Sequence, residues 1–429
     1  MTVMTTNPLQ DIAQWPARRR IRGIPSICTA HPDVIAAAMR HYLDNDMPLL
    51  IEATCNQVNQ EGGYTGMTPA GFRDFVEGIS LRLGFPTGRL ILGGDHLGPN
   101  PWKSLAAEEA MERACRMVAD YAAAGFTKLH LDCSMRCADD PPVLEDALIA
   151  ARAARLAGAA ESHLPGGVDA LPVYIIGTEV PIPGGAMEEI EALEITRPEA
   201  ALATFAVHER AFAKLGLQAA FDRVIGLVVQ PGVEFGNHNV VDYDPTAARQ
   251  LSASLARLPG RVFEAHSTDY QPPTALRGLV ADGFAILKVG PGLTFALREA
   301  LYGLDLIAEE LHPGARARTL REQMEALMLS QPKDWSSYYH GTGPEQALQR
   351  HFSYSDRIRY YWPAEEARAA VAELMALLGE ERLPEPLIAQ YLGGLYRDMR
   401  AGLVKLTPPV LVDAAIRRVI ADYVSACGN

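Results

Sequence analysis

Eight short apolar runs, each bounded by glycine, proline or polar residues and nearly all followed by a longer stretch with helical spacing, restrict this chain to repeated β/α units. The strands expected from them are 24–28, 49–53, 90–94, 128–132, 173–177, 224–229, 262–265 and 285–289. The intervening helices carry recognisable starts: Pro32-Asp33, Thr68-Pro69, Ser104 and Pro245. Eight units fit a (β/α)8 TIM barrel, which takes ~250 residues and grows by loop insertion. A doubly wound open sheet ranks second, because no G-x-G-x-x-G follows the first strand. After about Pro313 the strands stop, and 319–329, 363–378, 386–399 and 409–425 read as amphipathic helices. The expected organisation is a barrel over 1–312 with a C-terminal α-helical extension, 313–429, packed on it. In that extension Phe352 to Trp362, with Tyr354, Arg357, Arg359, Tyr360 and Tyr361, reads as an anchor or an oligomer interface.

A hydrophobic content of 48% over 429 residues is enough for a large core and argues against disorder. The formal net charge of -13 argues against a nucleic-acid binder, since nothing would neutralise a row of phosphates. The basic run Arg18–Arg20 with Arg22 reads as a solvated entry to the first strand. No apolar stretch approaches the ~20 residues a membrane span needs, and the N-terminus lacks a signal peptide's apolar core, so a cytoplasmic location is expected. The six cysteines are scattered without a C-x-x-C pair, which suggests reduced thiols and neither disulfides nor a thiolate zinc knuckle.

Active sites of such barrels lie at the C-terminal ends of the strands. Just past successive strands stand Glu52, Asp95-His96, Asp132, Glu179, the segment Glu234 to Asn239, Glu264, His266 with Ser267-Thr268-Asp269, and Lys288. His96, His238 and His266 follow three different strands and Glu179 a fourth, so a closed barrel aims all four at one mouth. Three imidazoles, with or without a carboxylate, suit zinc or another late divalent ion with a position open for substrate. His31, His41, His130, His163, His208, His312, His340 and His351 receive no role. The sharpest segment is Leu92 to Trp102: two glycines allow close backbone approach to a ligand, and Asp95 beside a metal-ligating His96 is placed for general acid/base work. Ser267 and Thr268, followed later by Gly290-Pro291-Gly292 and Thr294 opening a helix, match a phosphate site, with Lys288 adding charge. Trp102-Lys103-Ser104 looks like the end of a P-loop, but Trp stands where Gly is required, which disfavours a kinase. The glycine-rich loop from Gln60 to Met67 is the candidate lid.

Four segments, Gly93 to Asn100, Ile176 to Pro181, Gly236-Asn237-His238 and Ala265 to Asp269, resemble the GatZ/KbaZ family of tagatose-bisphosphate aldolase subunits. The likeness extends to Asn56 to Asn59, Gly62 to Gly66 and Phe352 to Arg357, and so over nearly the whole chain. That family is similar to class II fructose-bisphosphate aldolases. The resemblance implies Asp95 as catalytic acid, His96 as a zinc ligand, Glu179, His238 and His266 as the remaining ligands, and Ser267, Gly290 and Gly292 as a phosphate cradle. Glu52 and Asp132 complete the catalytic set, and Asn59, Thr268, Asp269 and Lys288 the substrate set. It also implies a divalent metal, expected to be Zn2+, and a place in galactitol catabolism. The expected partners are a phosphorylated ketohexose and either further copies of the chain or a class II aldolase catalytic subunit.

Family members act either as non-catalytic partners of an aldolase subunit or as 4-epimerases of ketose phosphates. Chemistry favours the second role here. The C2 carbonyl acidifies hydrogens on C1 and C3 only, so inverting C4 requires cleavage and re-formation of the C3–C4 bond. The expected reaction is D-tagatose 6-phosphate to D-fructose 6-phosphate, with net cleavage to trioses by the same residues as a third option.

Overall fold

In the computed structural model, which describes residues 7–18, 21–166, 170–178 and 193–428, ten strands alternate with helices. They are β1 (Ile24–Cys28), β2 (Leu49–Thr54), β3 (Leu90–Leu97), β4 (Lys128–Leu131), β5 (Val173–Ile176), β6 (Val224–Val229), β7 (Glu234–Phe235), β8 (Val240–Val241), β9 (Val262–Ala265) and β10 (Phe284–Val289). Strands β7 and β8 pair as an antiparallel hairpin. The other eight close into a barrel in the order β1-β10-β9-β6-β5-β4-β3-β2, every neighbouring pair parallel. This is a (β/α)8 TIM barrel. The helices expected at Thr68-Pro69 and Pro245 carry caps, the Thr68 hydroxyl accepting from the Gly71 amide and the Asp244 carboxylate from that of Thr246, whereas the one expected at Ser104 begins at Ala107 without a side-chain cap. The hairpin was not expected, because two-residue strands carry no periodic signal.

Side chains alternate in and out along each strand, and the inward set forms layers. Outward residues such as Ile51, Ala53, Leu129, Leu131, Phe263 and Leu287 join the large core under the helices. The barrel floor is apolar: Ile24, Leu50, Ile91, Val173, Val262 and Ile286 pack against Leu9, Ile12 and Trp15 of the N-terminal segment, which plugs that end. Two residues further along β1, β2, β3, β9 and β10 stand Ser26, Glu52, Gly93, Glu264 and Lys288, and Lys128 at the start of β4 is level with Gly93, so polar and charged groups lie directly on the apolar floor. The next inward positions are Cys28, Asp95 and His130, with His266 just past β9.

Residues beyond 312 are helical and rejoin the barrel. The last helix, Pro408–Cys427, packs on helices Pro32–Leu43, Pro273–Ala281 and Pro291–Leu311, and Gly428 bridges Ile21. A contiguous apolar core runs from Ile27 to Cys427. All six cysteines are unpaired. Among the described residues no helix is long and apolar enough to cross a membrane.

Candidate metal and substrate site

The β3 segment is built around its glycines. A Cβ at Gly93 would lie 2.5 Å from Glu52 Oε1, and one at Gly98 only 1.7 Å from the Asp132 carbonyl oxygen. The glycines therefore admit the Glu52 side chain and the end of β4, and their expected closeness to a ligand gives way to this packing role. The register with β4 shifts between Gly94 and Leu97, and His96 takes a left-handed φ of 49°. Ser267 does the same at 53°. Each such non-glycine residue costs ~1–3 kcal/mol, strain that collects at functional sites.

Four buried side chains meet there. Asp95, His96, His130 and His266 each offer a ligand atom, and these atoms all lie within 4.8 Å of one another. One ring nitrogen of each histidine is held by a carboxylate. His96 Nδ1 lies 2.7 Å from Asp132 Oδ2, His130 Nδ1 2.9 Å from Asp95 Oδ1, and His266 Nε2 3.0 Å from Glu264 Oε1. That pattern fixes ring orientation and leaves the opposite nitrogen for a metal. His130 Nε2 is buried with no hydrogen-bond partner, as a ligand-ready atom should be. Burial pushes His266 down to about 3, keeping it the neutral imidazole that metals require. Burial alone would raise the Asp95 carboxyl, but His96 and Lys288 beside it hold it well below the usual carboxylate range.

Behind this group lies a connected charge network. Lys128 Nζ is 2.7 Å from Glu52 Oε1 and 2.8 Å from Glu264 Oε2, and all three side chains are fully buried. Lys288 pairs with Glu52 and lies 2.9 Å from Asp95. Four carboxylates (Glu52, Asp95, Asp132, Glu264) against two ammonium groups (Lys128, Lys288) leave a formal surplus of two negative charges. A divalent cation is the charge that balances them. Donor set, orphaned nitrogen and charge thus all fit a metal ion.

The site opens into a cavity of about 510 Å³ lined by Cys28, Tyr64, Asp95, His96, His266, Ser267, Asp269, Lys288, Gly290, Arg359 and Tyr360, among others. Some expected site residues are elsewhere. His238 is exposed, because the chain after β6 folds into the β7–β8 hairpin and carries 236–239 into its turn; it is not one of the four clustered residues. Glu179 lies outside the described residues. The Thr268 hydroxyl is fully buried and donates to the Lys288 carbonyl at 2.6 Å, so it is turned away from the cavity. The Gly290 and Gly292 amides, expected to cradle a phosphate, donate to Asp269 Oδ1 at 2.9 and 2.7 Å. Asn59 ties its own loop, donating to the Cys55 carbonyl and accepting from the Glu61 and Gly63 amides. The candidate lid supplies Tyr64, Thr65 and Met67 to the cavity wall, with the Tyr64 ring 4.6 Å from that of Tyr360.

His130 was missed, although a signal for it existed. In Lys128-Leu129-His130-Leu131-Asp132 the strand period of two puts Lys128, His130 and Asp132 on one face. The aromatic stretch of the extension was read as an anchor or an oligomer interface. It is an anchor, since the Ser353 and Ser355 hydroxyls donate to Asn237 Oδ1 at 2.9 Å, but Arg359, Tyr360 and Trp362 also line the cavity.

The family model for D-tagatose-1,6-bisphosphate aldolase subunits, GatZ/KbaZ-like, matches residues 9–428. The chain belongs to this family. A crystal structure described as a probable tagatose 6 phosphate kinase from Sinorhizobium meliloti 1021 is similar at 60% identity, with a TM-score of 0.88, covering 94% of this chain and 100% of that one. Glycerol-complexed fructuronate-tagaturonate epimerase UxaE from Cohnella laeviribosi is similar at 13% identity and TM-score 0.51, covering 95% of this chain and 81% of that one. At that identity the second likeness speaks for the fold alone. Membership in the family agrees with the resemblance seen in the sequence motifs.

Proposed function

We propose that this member of the family is a metal-dependent enzyme that epimerises C4 of a ketohexose phosphate, interconverting D-tagatose 6-phosphate and D-fructose 6-phosphate. The observation that carries the reading is the convergence of Asp95, His96, His130 and His266, with each imidazole braced by a carboxylate, at the base of an open cavity. His96, His130 and His266 would hold the ion, and three imidazoles suit Zn2+. When bound, the ion polarises the C2 carbonyl and stabilises the negative charge that develops on it.

The remaining steps belong to side chains. Asp95 takes the C4 hydroxyl proton as the C3–C4 bond breaks, giving an aldehyde and a three-carbon enediolate. After the aldehyde turns, attack on its other face re-forms the bond, and Asp95 returns the proton to the C4 oxygen. Lys288, 2.9 Å from Asp95 and paired with Glu52, keeps the carboxylate ionised between cycles. Asp132 and Glu264 act through His96 and His266, whose rings they orient. Walls that keep the aldehyde in place separate epimerisation from net cleavage, which needs the same groups.

The test is to incubate purified, metal-loaded protein alone with D-fructose 6-phosphate and follow products by NMR beside an EDTA-treated control. Metal-dependent tagatose 6-phosphate is the expected result, with turnover lost and metal retained in Asp95→Asn. Trioses would make the protein an aldolase. No change would replace the epimerase reading with that of an accessory aldolase subunit, which the family's description favours.

A further inference from the structure

The expected phosphate cradle is already occupied. Asp269 accepts from both Gly290 and Gly292, satisfying the amides at the start of helix Pro291–Leu311, and its own negative charge stands where an anion would sit. Any phosphate entering the cavity must be met by another group. Lys288 is taken up by Glu52 and Asp95.

Arg359, from the extension, is different. It lines the same cavity as Asp95 and His266, and no carboxylate lies within ion-pair distance of it among the described residues. Its Nη1 donates to the carbonyls of Ser355 and Asp356, and its Nη2 to the Tyr360 hydroxyl at 3.2 Å. Those three bonds aim the guanidinium, and they leave Nε and the second Nη2 hydrogen, two of its five donors, without a protein partner. Two parallel N–H groups on one edge of a guanidinium match two oxygens of a phosphate. Tyr64, from the opposite side, packs against Tyr360 and steadies the same wall.

We propose that Arg359 is the substrate's phosphate-binding residue and sets the preference for phosphorylated over free ketoses, so that the extension completes a site the barrel alone leaves open. This rests on the sugar-phosphate reading above for the identity of the substrate, but the anion site itself is testable without turnover.

Inorganic phosphate is the probe. Binding to the full-length protein is followed by 31P NMR titration for wild type, Arg359→Met and Arg359→Lys, with circular dichroism and melting temperature as controls of folding. Phosphate binding should weaken roughly ten- to hundredfold in Arg359→Met, the loss expected for a charge-assisted contact, and recover in part in Arg359→Lys. With fructose 6-phosphate, the loss should appear mainly in KM. A folded Arg359→Met that binds phosphate as wild type does would overturn the proposal. In case that variant fails to fold, phenylglyoxal modification of wild type, mapped by mass spectrometry, gives a second readout. Phosphate should protect Arg359, and equal modification with and without phosphate would also overturn it. A wild type that binds phosphate through Arg359 yet turns over no sugar would refute the epimerase reading and leave the anion site standing.

Discussion

Replacing Lys128 by Met keeps the side-chain stem and removes a charge from the centre of the barrel. The ammonium group lies 2.7 and 2.8 Å from two carboxylates, and neither it nor they have any solvent contact. At an effective dielectric of ~20 each contact is worth about 6 kcal/mol of attraction, against which stands the desolvation of all three groups. The two acids fare differently once the lysine is gone. Glu52 keeps Lys288 and accepts from the Ser26 hydroxyl at 2.7 Å, whereas Glu264 keeps only His266. The variant therefore strands one buried carboxylate, at a cost of about 3–5 kcal/mol. With an unfolding entropy of ~2.1 cal/mol/K per residue, that lowers the melting temperature of a chain this long by roughly 3–6 °C. Differential scanning calorimetry of EDTA-treated protein measures it, and Lys128→Met combined with Glu264→Gln should restore at least half of the loss. A melting temperature unchanged or raised in the single variant would mean that the inner carboxylates are already protonated, and the account of a charged layer would fail.

Asp132→Asn, which removes the anion 2.7 Å from His96 Nδ1, should weaken zinc binding roughly 10–100-fold in a chelator competition; undiminished affinity would contradict the bracing role. Gly98→Ala should lower stability by ~1–3 kcal/mol or more in calorimetry, since its Cβ would fall 1.7 Å from the Asp132 carbonyl; wild-type stability would show that the β3–β4 contact yields freely. Burial pushes Asp356 from 3.8 up to about 6, despite Arg298, Arg359 and a bond from Thr294 that favour its ionised form, with Asp269 opposing it. Between those pH values the folded protein holds a proton that the unfolded chain has lost, so this group's contribution falls as pH rises through the window, by about 2–3 kcal/mol in all. The melting temperature of Asp356→Asn relative to wild type should therefore rise between pH 4 and 7, and parallel curves would refute the assignment.

The barrel was legible because each of its strands is a separate apolar run, and β1, β6 and β9 have the bounds the sequence suggested. Asp95, His96, His266 and Lys288 were legible because strand ends in a barrel converge. What escaped notice depends on direction rather than position. His130 lies inside a strand that was recognised, yet only the in-and-out alternation with Lys128 and Asp132 distinguishes it from a core histidine. His238 reads as a strand-end ligand until the hairpin carries it into a turn. The competition for the Gly290 and Gly292 amides could not be read at all: Asp269 as substrate ligand and Asp269 as helix cap have the same sequence.

The layering of the barrel interior explains why the site tolerates so many buried charges. Along β2, β4, β9 and β10 the inward series runs from an apolar or charged residue at the floor to carboxylate, ammonium or imidazole two positions on, so the inner lysines find their counter-charges across the barrel, on strands that are not adjacent in the sheet. Gly93, where β3 carries no side chain at that level, is what gives Glu52 room to reach Lys128 and Lys288. Glu264, which braces His266, thus also neutralises Lys128, and Lys288 links Glu52 to Asp95. A change in the charged layer must then reach the imidazoles one step above it, which ties the stability of the barrel to the geometry of the histidine cluster.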